Sequence, residues 1–207
     1  MLKLTLLLLL ALGAPVVFAQ EVAPDALLQA VTTEVVAAMK RDRDLNTGKS
    51  AQVAIVVDTK VLPLFDFNRM TQSAMARNWR VATAEQQTAL VGEFKTLLVH
   101  TYSAALSMYH DQAIEFRRLA LSSGDKEVTV RSVVKQAGTA PVSMDYDLEK
   151  TAAGWKVYDI KVGGVSLITT YRDTFSEKVR DEGVDGLIKL LTDKNRSGDT
   201  QSGKRKT

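Results

Sequence analysis

The sequence predicts an α+β fold in which helices cover one side of a curled, four-stranded antiparallel sheet. Two observations support this prediction. Apolar residues recur at helical spacing in the first half of the chain, and four strand-length segments with a period of two follow between residues 113 and 162. Short turn sequences separate the segments, so we expect an antiparallel meander, with a helical extension before it and helices after it.

The N-terminal extension begins with an amphipathic helix. Residues 24–40 carry six apolar side chains at helical spacing. The β-branched run in residues 51–67 is compatible with either strand or helix, and Pro63 ends it in both cases. A short helical segment over residues 68–77 follows.

A long helix is predicted to begin near Thr83. Gln86 stands three residues later, which is the spacing of a capping box that satisfies the first free backbone N–H groups. A wide apolar stripe runs from Leu90 to Met108, so we expect this helix to lie against something large.

The third strand segment shows the clearest alternation. Its apolar face carries Val142, Met144, Tyr146 and Leu148, and its polar face carries Ser143, Asp145, Asp147 and Glu149. We therefore expect the polar face to be solvated. After the glycine pair at 163–164, one helix is predicted over residues 166–180 and another over residues 183–191.

Both ends of the chain are predicted to lie outside the folded domain, which spans residues 20–193. Residues 1–19 combine a lysine, an apolar run and the small residues Val17 and Ala19 at the −3 and −1 positions of a cleavage site, the pattern of a secretory signal peptide. Residues 194–207 carry five basic residues against one acidic residue and are predicted to form a disordered tail. The folded body is then slightly acidic, which argues against nucleic-acid binding. The absence of cysteine excludes disulfides and thiolate metal sites.

Two motifs resemble sites of known chemistry but fail on spacing or chain order. Ser166 stands in a near match to a nucleophile elbow, yet both histidines precede it and Ile168 replaces the final glycine, so we predict a helix cap. The segment "NTGKS" at 46–50 lacks the leading glycine of a phosphate-binding loop and is interpreted as a turn.

The titratable residues do not point to a catalytic site. His100 and His110 are about 15 Å apart along one predicted helix, too far to share a metal. Asp145 and Asp147 share a strand face, which suits either paired catalytic carboxylates or a solvated surface. We expect no cofactor and no metal. The remaining apolar and aromatic set fits a filled core or a ligand cavity, which composition alone does not distinguish.

Two long continuous segments of the sequence resemble one family. The blocks "FDFNRMTQSAMARNWRVATAEQQTALVGEFKTLLVHTYSAAL" (65–106) and "GWKVYDIKVGGVSLITTYRDTF" (154–175) resemble the MlaC family, also called toluene-tolerance auxiliary proteins. These proteins are periplasmic phospholipid carriers of Gram-negative bacteria. The similarity spans about residues 23–191.

The resemblance implies a nuclear-transport-factor-like cone that encloses an apolar pocket for acyl chains. It implies a periplasmic phospholipid carrier that maintains outer-membrane lipid asymmetry, with two partners: an inner-membrane ABC transporter complex with MCE domains, and an outer-membrane lipoprotein–porin complex. Arg172 is the candidate for the headgroup phosphate. The acyl-chain pocket is expected to be lined by Met70, Met75, Trp79, Phe94, Leu97, Leu98, Tyr102, Val142, Met144, Tyr146, Val157, Leu167 and Tyr171.

Two other functions stay open at this point. An isomerase or dehydratase on the same cone would need a titratable group inside the cavity, such as Asp145 turned inward. A periplasmic adaptor would have a solid interior and would carry no lipid.

Overall fold

The computed structural model describes residues 22–44, 51–107 and 112–204, so the predicted signal peptide at 1–19 lies outside the described residues. The helices are α1 (Pro24–Asp44), α2 (Ala51–Val56), α3 (Phe67–Met75), α4 (Ala84–Ser107) and α5 (Arg172–Lys204). The strands are β1 (Ala113–Phe116), β2 (Glu127–Lys135), β3 (Val142–Thr151), β4 (Gly154–Val162) and β5 (Val165–Ser166). This architecture confirms the α+β class.

The sheet is an antiparallel meander in the order β1-β2-β3-β4-β5, as predicted, but it has five strands in the described structure and not four. The additional strand arises at Gly163 and Gly164, whose φ angles are 57° and 85°. Two consecutive residues with positive φ form the tight turn that matches the twist of a two-residue hairpin. Val165 therefore folds back against Val162 and starts β5.

Strand β1 is shorter than the apolar segment that predicts it. The Arg117 N–H still donates to the Arg131 carbonyl at 2.9 Å, but two residues later the Leu119 N–H donates to Oδ2 of Asp25 at 3.0 Å. The chain leaves β2 because the carboxylate at the start of α1 takes over this backbone donor.

Helices α3 and α4 both begin with side-chain caps. At α3 the Asp66 carboxylate accepts from the Arg69 N–H at 2.8 Å. At α4 the predicted capping box is confirmed: the Gln86 N–H donates to the Thr83 hydroxyl at 3.2 Å, and the Gln86 side chain accepts from the Thr83 N–H at 3.0 Å. The ambiguous run at 51–67 is helical in its first part, with α2 followed by a π-helical turn and a 3₁₀ turn.

Helix α5 contains the two predicted C-terminal helices, which meet at Gly183. Its φ of 73° and ψ of −178° are not helical, so the axis bends there. The predicted start at residue 166 is too early, because a 3₁₀ turn over Thr169–Tyr171 precedes α5. Asn195, predicted to lie in a disordered tail, is buried and donates to the Glu93 carbonyl at 3.0 Å. The division of the chain into domain and tail stays a prediction.

The described core consists of two clusters of buried apolar residues. The sheet cluster joins β2, β3 and β4 to α1 through Leu28, Val130, Leu148, Trp155 and Val157. The helical cluster joins α3, α4 and α5 around Met70, Met75, Leu90, Phe94, Ile168, Phe175, Leu187 and Leu191. Phe65 packs against both clusters, and its backbone bridges to Val157 on β4.

Candidate functional site

One face of the sheet is predominantly apolar but is covered only at one end. Leu148 and Val157 are buried at the end that α1 covers. At the other end Val142 is 43% exposed and Val165 is 58% exposed. The strand register places Met144 beside Val162 between these two exposed valines. Within the described residues, the apolar face therefore opens at the end that carries the β4–β5 hairpin.

Tyr146 occupies the middle of this face. Its ring stacks on Phe116 with the centroids 6.1 Å apart, and its hydroxyl lies 2.8 Å from the sulfur of Met144. Burial raises the pKa of Tyr146, so its hydroxyl is neutral at physiological pH. The surface is thus predominantly apolar, and its polar side-chain groups include the Tyr146 hydroxyl and the buried Ser132 hydroxyl.

The helical cluster presents an aromatic group of its own. Phe94 contacts Tyr171 and Phe175 edge to face, with centroid distances of 5.0 Å and 5.1 Å. Tyr102 lies beside Tyr171, and burial together with the hydrogen bond between their hydroxyls raises the pKa of Tyr102 to about 12. Both tyrosines are only partly buried. Their rings form a largely apolar surface.

The structure divides the predicted pocket residues between these two surfaces. On the helical side, Met75 and Phe94 are fully buried in the cluster, whereas Trp79, Leu97, Tyr102 and Tyr171 are half-buried. Met70 and Leu98 are buried there as well. On the sheet side, Val157 is buried, Met144 and Tyr146 are half-buried, and Val142 is exposed. Leu167 is half-buried next to β4, where its N–H donates to the Ile160 carbonyl at 2.8 Å.

A small pocket of about 160 Å³ lies between α4 and α5. It includes Leu97 and Tyr171 from the predicted set and six residues that the sequence prediction did not include: Thr170, Thr174, Phe175, Leu190, Leu191 and Lys194. Phe175 follows Tyr171 by four residues, a helical spacing that could have identified it. Lys194 gave no such signal, because it falls in the segment assigned to the tail.

Arg172, the predicted headgroup residue, is exposed at the start of α5. Its guanidinium donates to the Ser73 carbonyl through Nε at 3.2 Å and Nη2 at 3.0 Å. These bonds tie α5 to α3, so part of its donor capacity is already used. A contact with a headgroup stays a prediction.

The polar face of the sheet is not simply solvated, which corrects the sequence expectation. Asp147 is only 8% exposed, because it accepts from the Thr129 hydroxyl at 2.7 Å and binds the Lys161 ammonium at 2.6 Å. The hydrogen bond with Asp147 raises the pKa of Lys161. Asp145 lies on this same face, directed away from the apolar surface. Asp145 is therefore not the inward-facing carboxylate that the isomerase or dehydratase alternative would require.

Arg69 extends this polar network from α3, and no sequence pattern identified it. It binds both Glu127 and Glu149, and its guanidinium lies 3.6 Å from the ring centroid of Tyr158. The two glutamates are on neighbouring strands, so the arginine fixes the N-terminal end of α3 to the sheet.

The other motifs have structural explanations where the structure describes them. The Ser166 hydroxyl accepts from the Thr169 N–H at 3.0 Å, which confirms the predicted cap, although the turn that it caps is 3₁₀. His100 is exposed on α4, and His110 lies outside the described residues. Over the described ranges, no three His, Asp or Glu side chains are placed to hold a metal ion, and no helix is long and apolar enough to cross a membrane.

Comparison with known proteins identifies relatives over most of the chain. A toluene tolerance protein, ttg2D, of Pseudomonas putida is 26% identical over 180 residues, covering 86% of this chain and 83% of that protein. The intermembrane phospholipid transport system binding protein MlaC of Haemophilus influenzae is 21% identical over 171 residues, covering 81% of this chain and 80% of that protein.

A solved structure resembles this one closely. It is a phospholipid-binding protein from Ralstonia solanacearum in complex with a phospholipid, with a TM-score of 0.76 and 37% sequence identity, covering 86% of this chain and 99% of that chain. The family model described as MlaC protein matches residues 29–193. The chain therefore belongs to the MlaC family.

Proposed function

We propose that this protein is a soluble periplasmic carrier of diacyl phospholipids and not an enzyme. In this role it moves lipid between an inner-membrane ABC transporter complex with MCE domains and an outer-membrane lipoprotein–porin complex, and so maintains the lipid asymmetry of the outer membrane. Family membership and the phospholipid-binding relative support this proposal.

One structural observation carries the proposal. The apolar sheet face is open at the end of Val142 and Val165, and the helical aromatic group is a separate cluster that shares only Phe65 with the sheet among the described residues. An apolar face that the described residues leave open needs a further apolar body to cover it. Acyl chains are such a body, and sheet and helices around them would form the cone of nuclear-transport-factor-like proteins.

The proposed acyl site uses the accessible members of both surfaces. Met144 and Tyr146 lie on the sheet side, and Leu97, Tyr102 and Tyr171 lie on the helical side. Methionine adapts its shape at low cost, which suits chains of different length. The fully buried members of the predicted set, such as Phe94, would pack beneath this surface without contacting the acyl chains.

The energetics explain why such a carrier needs no catalytic residue. Moving a two-chain lipid into water exposes about 30 methylenes at roughly 0.8 kcal/mol each, on the order of 25 kcal/mol. A protein removes most of this barrier only by giving both chains an equally dry environment, in a pocket near 1,000 Å³, about the upper end of the usual range. The direction of transfer then depends on the partners.

A charge placed on the sheet face tests the acyl site. Met144→Glu puts a carboxylate among Tyr146 and Val162, where burial against acyl chains is costly, so uptake of fluorescent phospholipid from vesicles should fall at least tenfold. Ser143→Glu is the matched control, because the neighbouring side chain is exposed on the opposite face. Equal uptake by both variants, with unchanged circular dichroism, would place the acyl chains elsewhere.

A further inference from the structure

The pocket between α4 and α5 has a polar mouth and an apolar floor. Its exposed lining residues are Thr170, Thr174 and Lys194. The other lining residues are apolar or aromatic and at least half-buried: Leu97, Tyr171, Phe175, Leu190 and Leu191. This order of chemistry suits an amphiphilic ligand with a polar group outside and an apolar group inside.

The mouth offers two hydrogen-bond donors that the described structure leaves available. The Thr170 hydroxyl donates to the Leu167 carbonyl at 2.7 Å, so its proton is committed. Neither the Thr174 hydroxyl nor the Lys194 ammonium has a hydrogen bond or ion pair with any part of the chain that the structure describes. An ammonium and a hydroxyl on residues that line one pocket can together bind an anion.

Two other cations of α5 have protein partners and do not line the pocket. Lys189, five residues before Lys194 on α5, binds Asp193 at 3.1 Å. Arg172 donates to the Ser73 carbonyl. Among the residues that line this pocket in the described structure, Lys194 is the one cation, so an anionic ligand at the mouth would meet its ammonium.

We infer that Lys194 and Thr174 bind the phosphate of the phospholipid headgroup, an inference that rests on the proposed lipid-carrier function. The size of the pocket agrees with this assignment. About 160 Å³ resembles the roughly 150 Å³ cavity that holds one benzene, so it has room for one small apolar group beneath a phosphate at the mouth but not for two acyl chains. The chains leave it past Tyr171, which is part of both the pocket wall and the aromatic group of the proposed acyl site.

Calorimetric titration with short-chain probes tests this inference. The probes are dihexanoyl phosphatidylglycerol, the uncharged dihexanoylglycerol and inorganic phosphate. Lys194→Gln should raise the Kd for the phosphatidyl probe about tenfold and Thr174→Val a few fold, since each removes a hydrogen bond to a charged oxygen. Neither variant should change the Kd for dihexanoylglycerol. Lys189→Gln is the matched control, with the same charge change on the same helix, and should leave all three affinities unchanged.

The outcomes separate the inference from the function on which it rests. If wild-type protein binds the phosphatidyl probe and Lys194→Gln binds it equally well, the inference is wrong and the carrier function stands. If Arg172→Gln alone weakens binding of the phosphatidyl probe, the phosphate contacts Arg172 instead. If Lys189→Gln weakens binding as much as Lys194→Gln, the effect reflects the net charge of the protein and not a contact with Lys194, and the inference is wrong. Inorganic phosphate binding as tightly as the lipid would identify free phosphate as the ligand. Failure of the wild type to bind either diacyl probe would overturn both the function and the inference.

Discussion

Asp147 shows how a single carboxylate holds three strands of the sheet together. It lies on β3, accepts a hydrogen bond from Thr129 on β2 and binds Lys161 on β4. Burial of a carboxylate costs less free energy when its oxygens have such partners. The network therefore ties β2, β3 and β4 together on the face opposite the apolar surface.

Replacing Asp147 should therefore destabilise the fold more than replacing its neighbour on the same face. Asp147→Ala should lower the free energy of unfolding by about 2 kcal/mol, because it leaves the Thr129 hydroxyl and Lys161 without their acceptor. Asp145→Ala should cost less than about 0.5 kcal/mol, since no hydrogen bond or ion pair is described for that carboxylate. Urea denaturation measures both, and equal effects would show that the network contributes nothing.

The raised pKa of Tyr102 predicts that the free energy of unfolding falls at alkaline pH. Its pKa is raised from 10.0 to about 12 in the folded state, chiefly by burial, so folding favours the protonated phenol. The resulting stabilisation is complete below pH 10 and is lost as the pH rises towards 12, because the unfolded chain releases the proton first. Tyr102→Phe should make the decline in stability between pH 10 and 11.5 shallower. An identical decline in wild type and variant would contradict the raised pKa.

At the scale of elements, two glycines have opposite roles. Gly164 has a φ of 85° in the β4–β5 turn, and a Cβ there would meet open space, so only backbone strain opposes a side chain. Gly92 lies inside α4 with helical geometry and equally open surroundings. The same substitution should act in opposite directions at these two positions.

Gly164→Ala should lower the free energy of unfolding by about 1 kcal/mol, because alanine is strained in the left-handed conformation that residue 164 adopts. Gly92→Ala should raise it by about 0.5–1 kcal/mol, because alanine favours the helix interior. Thermal or urea unfolding of the two variants measures the difference. A stabilising Gly164→Ala would show that the turn is not left-handed there.

The elements that the sequence predicts well are those whose signal is local. The capping box at Thr83, the meander and the break at Gly183 follow from residue spacing within one or two turns. The short β1 and the added β5 do not, because they depend on a distant contact from Asp25 and on the conformation of two glycines. Asp147 was expected to be solvated for the same reason: its burial comes from β2 and β4, which alternation within β3 does not report.

At the scale of the whole molecule, the central feature is the separation of the sheet cluster from the helical cluster. The apolar residue types of the predicted site are found on these two surfaces, but the sequence does not show which of them are accessible. Burial depends on how sheet and helices meet, and Phe94 and Met144 look equivalent in a sequence. The structure distinguishes them, because Phe94 is fully buried and Met144 is not.

The lipid content of the purified wild-type protein tests the account most directly. Native mass spectrometry, with organic extraction of the same sample, measures how much phospholipid accompanies each chain. A carrier with two separate apolar surfaces should retain at least one diacyl phospholipid per chain, and delipidated protein should regain it from vesicles. Protein that is folded, free of lipid and unable to take up lipid from vesicles would contradict the account.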